Sequence, residues 1–299
     1  MYEEAAPPGA LAGVARCVWR SASAGPKRIV PDGCLDLVVG DGAVFIAGPD
    51  TAAWSSVTRP RAELRGVRFT PGRAPAVLGV AADELRDRRV PLGEVWGRAG
   101  EELAERLLSG ELTPAQAVAS RLPEVPPADP AVAALIARLD AGAARVAEAA
   151  AMVTGAARTA AALDRSGADP ASLTTQSAGP ARAAALLARP GAPRAAPELT
   201  AARLEDPGPF AVSERRLRRR FVQAVGYGPA TYLRVSRFQR AVALAPRTPG
   251  LAALAAAAGY ADQAHLSRDC RALTGLTPRA YFRPPSTVDE AVRDRLRSA

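Results

Sequence analysis

Six positions near the end of the chain, Asp262, Leu266, Arg268, Gly275, Pro278 and Tyr281, have counterparts 49 residues earlier in Ser213, Leu217, Arg219, Gly226, Pro229 and Tyr232. The matched types share local roles. Asp262 and Ser213 are N-cap acceptors. Leu266 and Leu217 open apolar stripes at helical spacing, continued in the later copy by Cys270 and Leu273, with Gln263, Ser267 and Arg271 on the opposite face. Gly275 and Gly226 can take the left-handed conformation that ends a helix, and the prolines suit the first turn of the next one. A cap, helix, glycine, proline and tyrosine repeated at constant spacing is a duplicated supersecondary unit, which an ordinary helical hairpin in a core would not show. Between the copies, Pro229 to Leu244 reads as one helix, about 24 Å long at 1.5 Å per residue, with Tyr232, Leu233, Phe238 and Val242 to bury.

Leu251, Leu254, Ala255 and Ala258 form a compact helix that meets the later copy across the Gly259 corner, a helix-turn-helix. In such a unit the second helix presents its outer side chains to base edges in the major groove while flanking arginines bind phosphate. The charge falls in the same place. Residues 211–283 hold thirteen arginines against three acidic residues, so a chain of formal net charge +9 is slightly acidic everywhere else. That confinement is what phosphate neutralisation needs.

The phrases Ser213…Leu217-Arg-Arg-Arg-Phe221, Gly226-Tyr-Gly-Pro229…Tyr232-Leu233 and Arg237-Phe238…Ala241 resemble the tandem helix-turn-helix domain of AraC/XylS-type transcription regulators. Gly259-Tyr-Ala-Asp-Gln-Ala-His-Leu-Ser-Arg268 and Gly275-Leu-Thr-Pro278…Tyr281 carry the resemblance furthest. It implies that Gln263, His265, Ser267, Arg268 and Arg271 on one reading helix, and Arg215, Arg218 and Arg219 on the other, face bases or nearby phosphates. Arg220 is a further phosphate candidate. One departure is Cys270, where the family usually has phenylalanine, so the core there should be smaller. The implied partner is double-stranded DNA, with a small-molecule effector, RNA polymerase and a second copy of the chain as further candidates.

Residues 1–109 have another texture. Val14 to Trp19, Leu35 to Val39, Ala43 to Ala47 and Leu64 to Phe69 are short apolar or alternating runs bounded by turn formers, which predicts strands. Arg73 to Gly79 and Val90 to Leu108 read as helices. Val30-Pro-Asp-Gly-Cys-Leu-Asp-Leu37, Gly66-Val-Arg-Phe-Thr-Pro-Gly72 and Leu85-Arg-Asp-Arg-Arg-Val-Pro-Leu92 resemble an uncharacterised N-terminal domain found fused to AraC-type DNA-binding domains, which implies sensing or dimerisation without naming a ligand. Trp19, Trp54 and Trp96 are candidates to line an apolar pocket, and Arg65, Arg68 and Arg73 to bind an acidic effector. Core packing and a solvated strand edge are the favoured readings of these two sets. Cys34 reads as a buried strand residue, and Asp32 and Asp36 as turn and strand-surface residues.

One histidine and three scattered cysteines, Cys17, Cys34 and Cys270, leave no material for a zinc cluster or a Ser-His-Asp triad, and there is no glycine-rich phosphate loop. No enzyme activity, catalytic residue, cofactor or metal is therefore expected. The opening residues lack the basic start and apolar stretch of a secretion signal, so a cytoplasmic protein is expected.

The expected fold class is α+β. A small mixed, β-rich domain occupies 1–115, an alanine-rich linker helix 128–151, a low-complexity and mobile insertion 152–209, an all-α tandem helix-turn-helix domain 210–285 and a charged tail 286–299. A difficulty lies in the first unit. The positions where its support helix should stand, Ala202 to Phe210, contain two prolines and cannot form a regular helix. Either the insertion has split the unit, with Val146 to Ala150 beginning the missing helix, or the first unit is degenerate and only the second reads DNA. The alternative function is a ligand-binding or interaction protein whose damaged first unit leaves only nonspecific nucleic-acid affinity.

Overall fold

The computed structural model describes residues 2–22, 26–59, 62–155 and 213–282. Eight strands come first: β1 (Tyr2–Ala5), β2 (Ala15–Ala22), β3 (Lys27–Ile29), β4 (Asp36–Gly40), β5 (Ala43–Ala47), β6 (Trp54–Ser56), β7 (Glu63–Phe69) and β8 (Arg89–Pro91). Six of them make one antiparallel sheet in the order β1-β2-β7-β4-β5-β8, and β3 pairs with β6 as a separate ribbon. The four strands expected from the sequence are β2, β4, β5 and β7. The others are short, and β1 carries two glutamates.

Alternation along the strands gives the sheet two faces. Leu37, Val39, Val44, Ile46, Val67 and Phe69 point to one side and are buried with Val77, Leu78, Leu92, Leu107 and Val118. Those partners lie on α1 (Ala74–Leu78), α2 (Leu92–Trp96), α3 (Arg98–Leu108) and α4 (Pro114–Ala119), which cover this face. The single helix expected over Val90 to Leu108 is thus β8 and two helices. Gly97, at φ 59° and ψ −145°, stands between α2 and α3 in a conformation open to glycine. The core also reaches Ala117 and Val118, beyond the boundary expected at residue 115.

The second core is all-helical and joins α5 (Pro130–Asp140), α6 (146–155), α7 (Glu214–Val225), α8 (Pro229–Leu244), α9 (Leu251–Ala257), α10 (Gln263–Thr274) and α11 (Pro278–Phe282). The expected linker helix is broken. α5 ends at Asp140, and Gly142 takes φ 96° to turn the chain into α6. α5 is not a spacer, since its stripe of Val132, Leu135 and Leu139 is buried among the helix-turn-helix residues.

α6 occupies the place of the missing support helix. Its buried residues Ala149, Ala150 and Val153 stand 105 residues before Leu254 and Ala255 of α9 and Ala258 at its C-cap, with the same spacing, and join the core that holds Leu217 and Phe221 of α7. In the second unit Gln263 follows Ala258 at an offset of five positions, and in the first Glu214 follows Val153 at an offset of 61. Met152 to Gly155, expected as the start of the insertion, are helical and belong to α6. The remainder of that segment, and the tail from 283, lie outside the described residues.

α8 holds the two units together. Tyr232 and Ser236 both donate to the Asp140 carboxylate at 3.0 Å. Arg240 reaches the carbonyl of Asp140 at 2.8 Å and that of Ala258 at 3.2 Å, so one guanidinium bridges the corner after α5 and the end of α9.

Candidate nucleic-acid interface

The two reading helices, α7 and α10, are built alike. Ser213 accepts from the Arg216 amide at 3.3 Å and Asp262 from the His265 amide at 2.6 Å, each satisfying a donor at its helix start. Gly226 at φ 97° and Gly275 at φ 73° end them. Leu217 and Phe221 in α7, and Leu266, Cys270 and Leu273 in α10, are buried on one side. Cys270 fills its place with the thiol 3.4 Å from the Leu276 carbonyl.

The opposite faces are open. Arg215, Arg218 and Arg219 on α7, and Gln263, Arg268 and Arg271 on α10, are exposed. These five arginines make no side-chain hydrogen bond or ion pair among the described residues. Ser267 donates its hydroxyl to the Gln263 carbonyl at 2.8 Å, leaving its oxygen free to accept. His265 is placed differently. Its ring packs edge-on against Tyr260 at 5.0 Å and its Nε2 lies 3.7 Å from Asp269 Oδ2, so it sits against the turn while Arg268 projects outward. Burial pushes the Asp269 carboxyl upward, and His265 opposes that shift.

Arg220 is not available as expected. Its Nε donates to Asp129 Oδ2 at 2.6 Å, and Asp129 also caps α5. It fastens α7 to α5. Arg216 was missed in the sequence, although it matches His265 at the 49-residue spacing and is exposed. The repeat itself carried that signal.

Both reading helices are held at their C-terminal ends by the β-rich domain. Arg28 donates to the Thr274 carbonyl at 2.6 Å and the Ala53 amide to the Leu273 carbonyl at 2.7 Å. Arg86 donates to the Gly226 carbonyl at 3.3 Å. A Cβ at Gly226 would stand 2.3 Å from Pro49, so this contact requires glycine twice over, for space and for φ. Cations at helix C-termini also favour the helix dipole. The N-terminal halves, which approach bases in this motif, are left clear.

The β-rich domain also contains a cavity of about 650 Å³ between the second sheet face and the β3–β6 ribbon, closed on the helical side by Gln239 and Tyr281. Trp19 and Trp54 line it, contrary to the favoured core reading, whereas Trp96 bonds the Leu78 carbonyl elsewhere. Of the three candidate effector arginines, Arg68 lines the cavity, while Arg65 and Arg73 bond the carbonyls of Leu107 and Pro126. Asp36 is not a surface residue. It accepts from Trp19 Nε1 at 2.8 Å and from Arg68 at 3.2 Å, and burial pushes its carboxyl up to about 6. Cys34 is buried, just before β4, and desolvation with the nearby Asp32 and Asp36 pushes its thiol upward, away from thiolate.

Comparison with known families bears directly on these observations. Residues 209–284 match the model of a helix-turn-helix domain, of the AraC type. The C-terminal region is an AraC-type helix-turn-helix domain. Residues 3–91 match a domain of unknown function (DUF6597). No curated protein and no solved structure matches the chain. The helix-turn-helix match begins just before α7, so it omits α5 and α6, which the fold adds to the same core. The chain is thus a DNA-binding transcription regulator of the AraC type with an N-terminal domain of unknown function. No helix among the described residues is long and apolar enough to cross a membrane.

Proposed function

We propose that the AraC-type regulator reads specific DNA with both helix-turn-helix units and answers to a small-molecule effector held in the N-terminal domain. The observation that carries the DNA reading is the pair of N-capped helices, matched at 49 residues, whose outer faces bear six exposed arginines, Arg216 among them, without partners among the described residues. Arg268, Gln263 and Ser267 take base edges, Arg215, Arg218, Arg219 and Arg271 add base or phosphate contacts, and His265 supports the turn. The position of α6 favours two reading units over one. The cavity, walled partly by the DNA-binding domain, supports effector control.

The test is an affinity titration against DNA selected by the full chain and against random DNA. Arg268→Ala should cost about 1–3 kcal/mol on selected DNA and little on random DNA. Equal loss on both would end the base-reading role of Arg268.

A further inference from the structure

We infer that the cavity under the β3–β6 ribbon binds a small organic anion with a flat apolar body, and that the ribbon passes its occupancy to α10. This rests on the regulatory reading above and gives it a ligand chemistry and a route.

Two polar atoms of the cavity wall are buried without a partner, and both are donors: Nε1 of Trp54 and Nε of Arg89. They are neighbours, because the Arg89 guanidinium stacks 3.9 Å from the centre of the Trp54 ring. Arg16 also lines the cavity, and its side chain reaches only the Cys34 thiol at 3.9 Å, a weak acceptor. The carboxylates of the wall are already engaged. Asp50 takes both terminal nitrogens of Arg89 at 2.6 Å. Glu4, Asp32 and Asp36 share Arg68 at 3.1, 3.1 and 3.2 Å. Among the described residues, the buried side-chain atoms of the wall that lack a partner are both donors. A guest bearing oxygens supplies what the wall lacks, whereas an amine would compete with arginines for carboxylates. Trp19, Phe45 and Trp54 offer flat apolar surface, and the volume suits a metabolite-sized molecule.

The route runs through the ribbon. Trp54 pairs with Ile29 across it. The residues next to these two, Ala53 and Arg28, hold the last carbonyls of α10. An oxygen bound to Trp54 Nε1 therefore acts one residue away from the backbone that anchors a reading helix.

Calorimetric titration of the full chain with two matched sets tests the chemistry: indole-3-acetate, tryptamine and tryptophol, then phenylacetate, 2-phenylethylamine and 2-phenylethanol. In at least one set the acetate should bind about tenfold or more tightly than its amine and alcohol. Trp54→Phe should lose about fivefold or more of that affinity. Preference for an amine or alcohol, or binding by none of the six, overturns the site. A Trp54→Phe protein that keeps its affinity reduces Trp54 to packing and also overturns it. Hydrogen exchange reads the route: the bound acetate should slow exchange in residues 263–282, and binding without any change there overturns the coupling. Neither measurement uses DNA, so failure to bind DNA would refute the regulatory reading and leave these results standing.

Discussion

Arg220 and Arg268 are both arginines of reading helices, yet their surroundings assign them opposite roles. Arg268 is exposed, and Arg220 is tied to the cap of α5. Arg220→Ala should therefore lower stability by about 1 kcal/mol, as a partly exposed charge-assisted pair would, and leave the slope of DNA affinity against salt unchanged. A flatter slope with unchanged melting would return Arg220 to the phosphate contacts. Charge runs are visible in a sequence, but which arginine of Arg218-Arg-Arg220 faces inward depends on where α5 packs. The alternation of β4 likewise marks Asp36 as a surface residue, but its face of the sheet is covered by the ribbon and α8. Its carboxyl, pushed up to about 6, lies above the ordinary unfolded value of about 3.9. The folded chain then binds more protons than the unfolded one between these values, and this group's contribution to stability falls as pH rises through them. Asp36→Asn should melt above the parent at pH 7, with the difference closing toward pH 4. A variant melting below the parent at pH 7 would contradict this.

At the scale of elements, the helices around each unit were legible because their signals are local: caps, apolar spacing, C′ glycine and N1 proline all lie within a few residues. The β3–β6 ribbon was not, since three-residue strands carry almost no pattern of their own and exist through the contacts they make. α6 was half legible. Its beginning resembled a support helix, but pairing it with α7 needed the fold. That pairing gives a direct experiment. By the spacing of the second unit, Gly155 should connect to Ser213 through a single residue. A chain with Ala in place of residues 156–212 should keep its melting temperature and its DNA affinity. Loss of cooperative unfolding in that chain would show that α6 is not the support helix of the first unit. Val153→Asp should in turn cost several kcal/mol by placing a charge in the shared core.

For the whole molecule, two reading helices on one long helix should cover two adjacent major grooves about 34 Å apart along the duplex. Footprinting on selected DNA should show both, and protection of one groove would leave a single reading unit. Because Arg28, Ala53 and Arg86 hold both helices from behind, the β-rich domain sets their mutual geometry as well as sheltering a cavity. The separation of α6 from α7 along the chain also bears on how the protein reaches its native state. Closing a connection about twelve times longer than a tight turn costs about 2 kcal/mol more in chain entropy. The α9–α11 unit meets its partners at short range, so it should gain protection first in pulse-labelled refolding, with α6 and α7 completing their half later on its template.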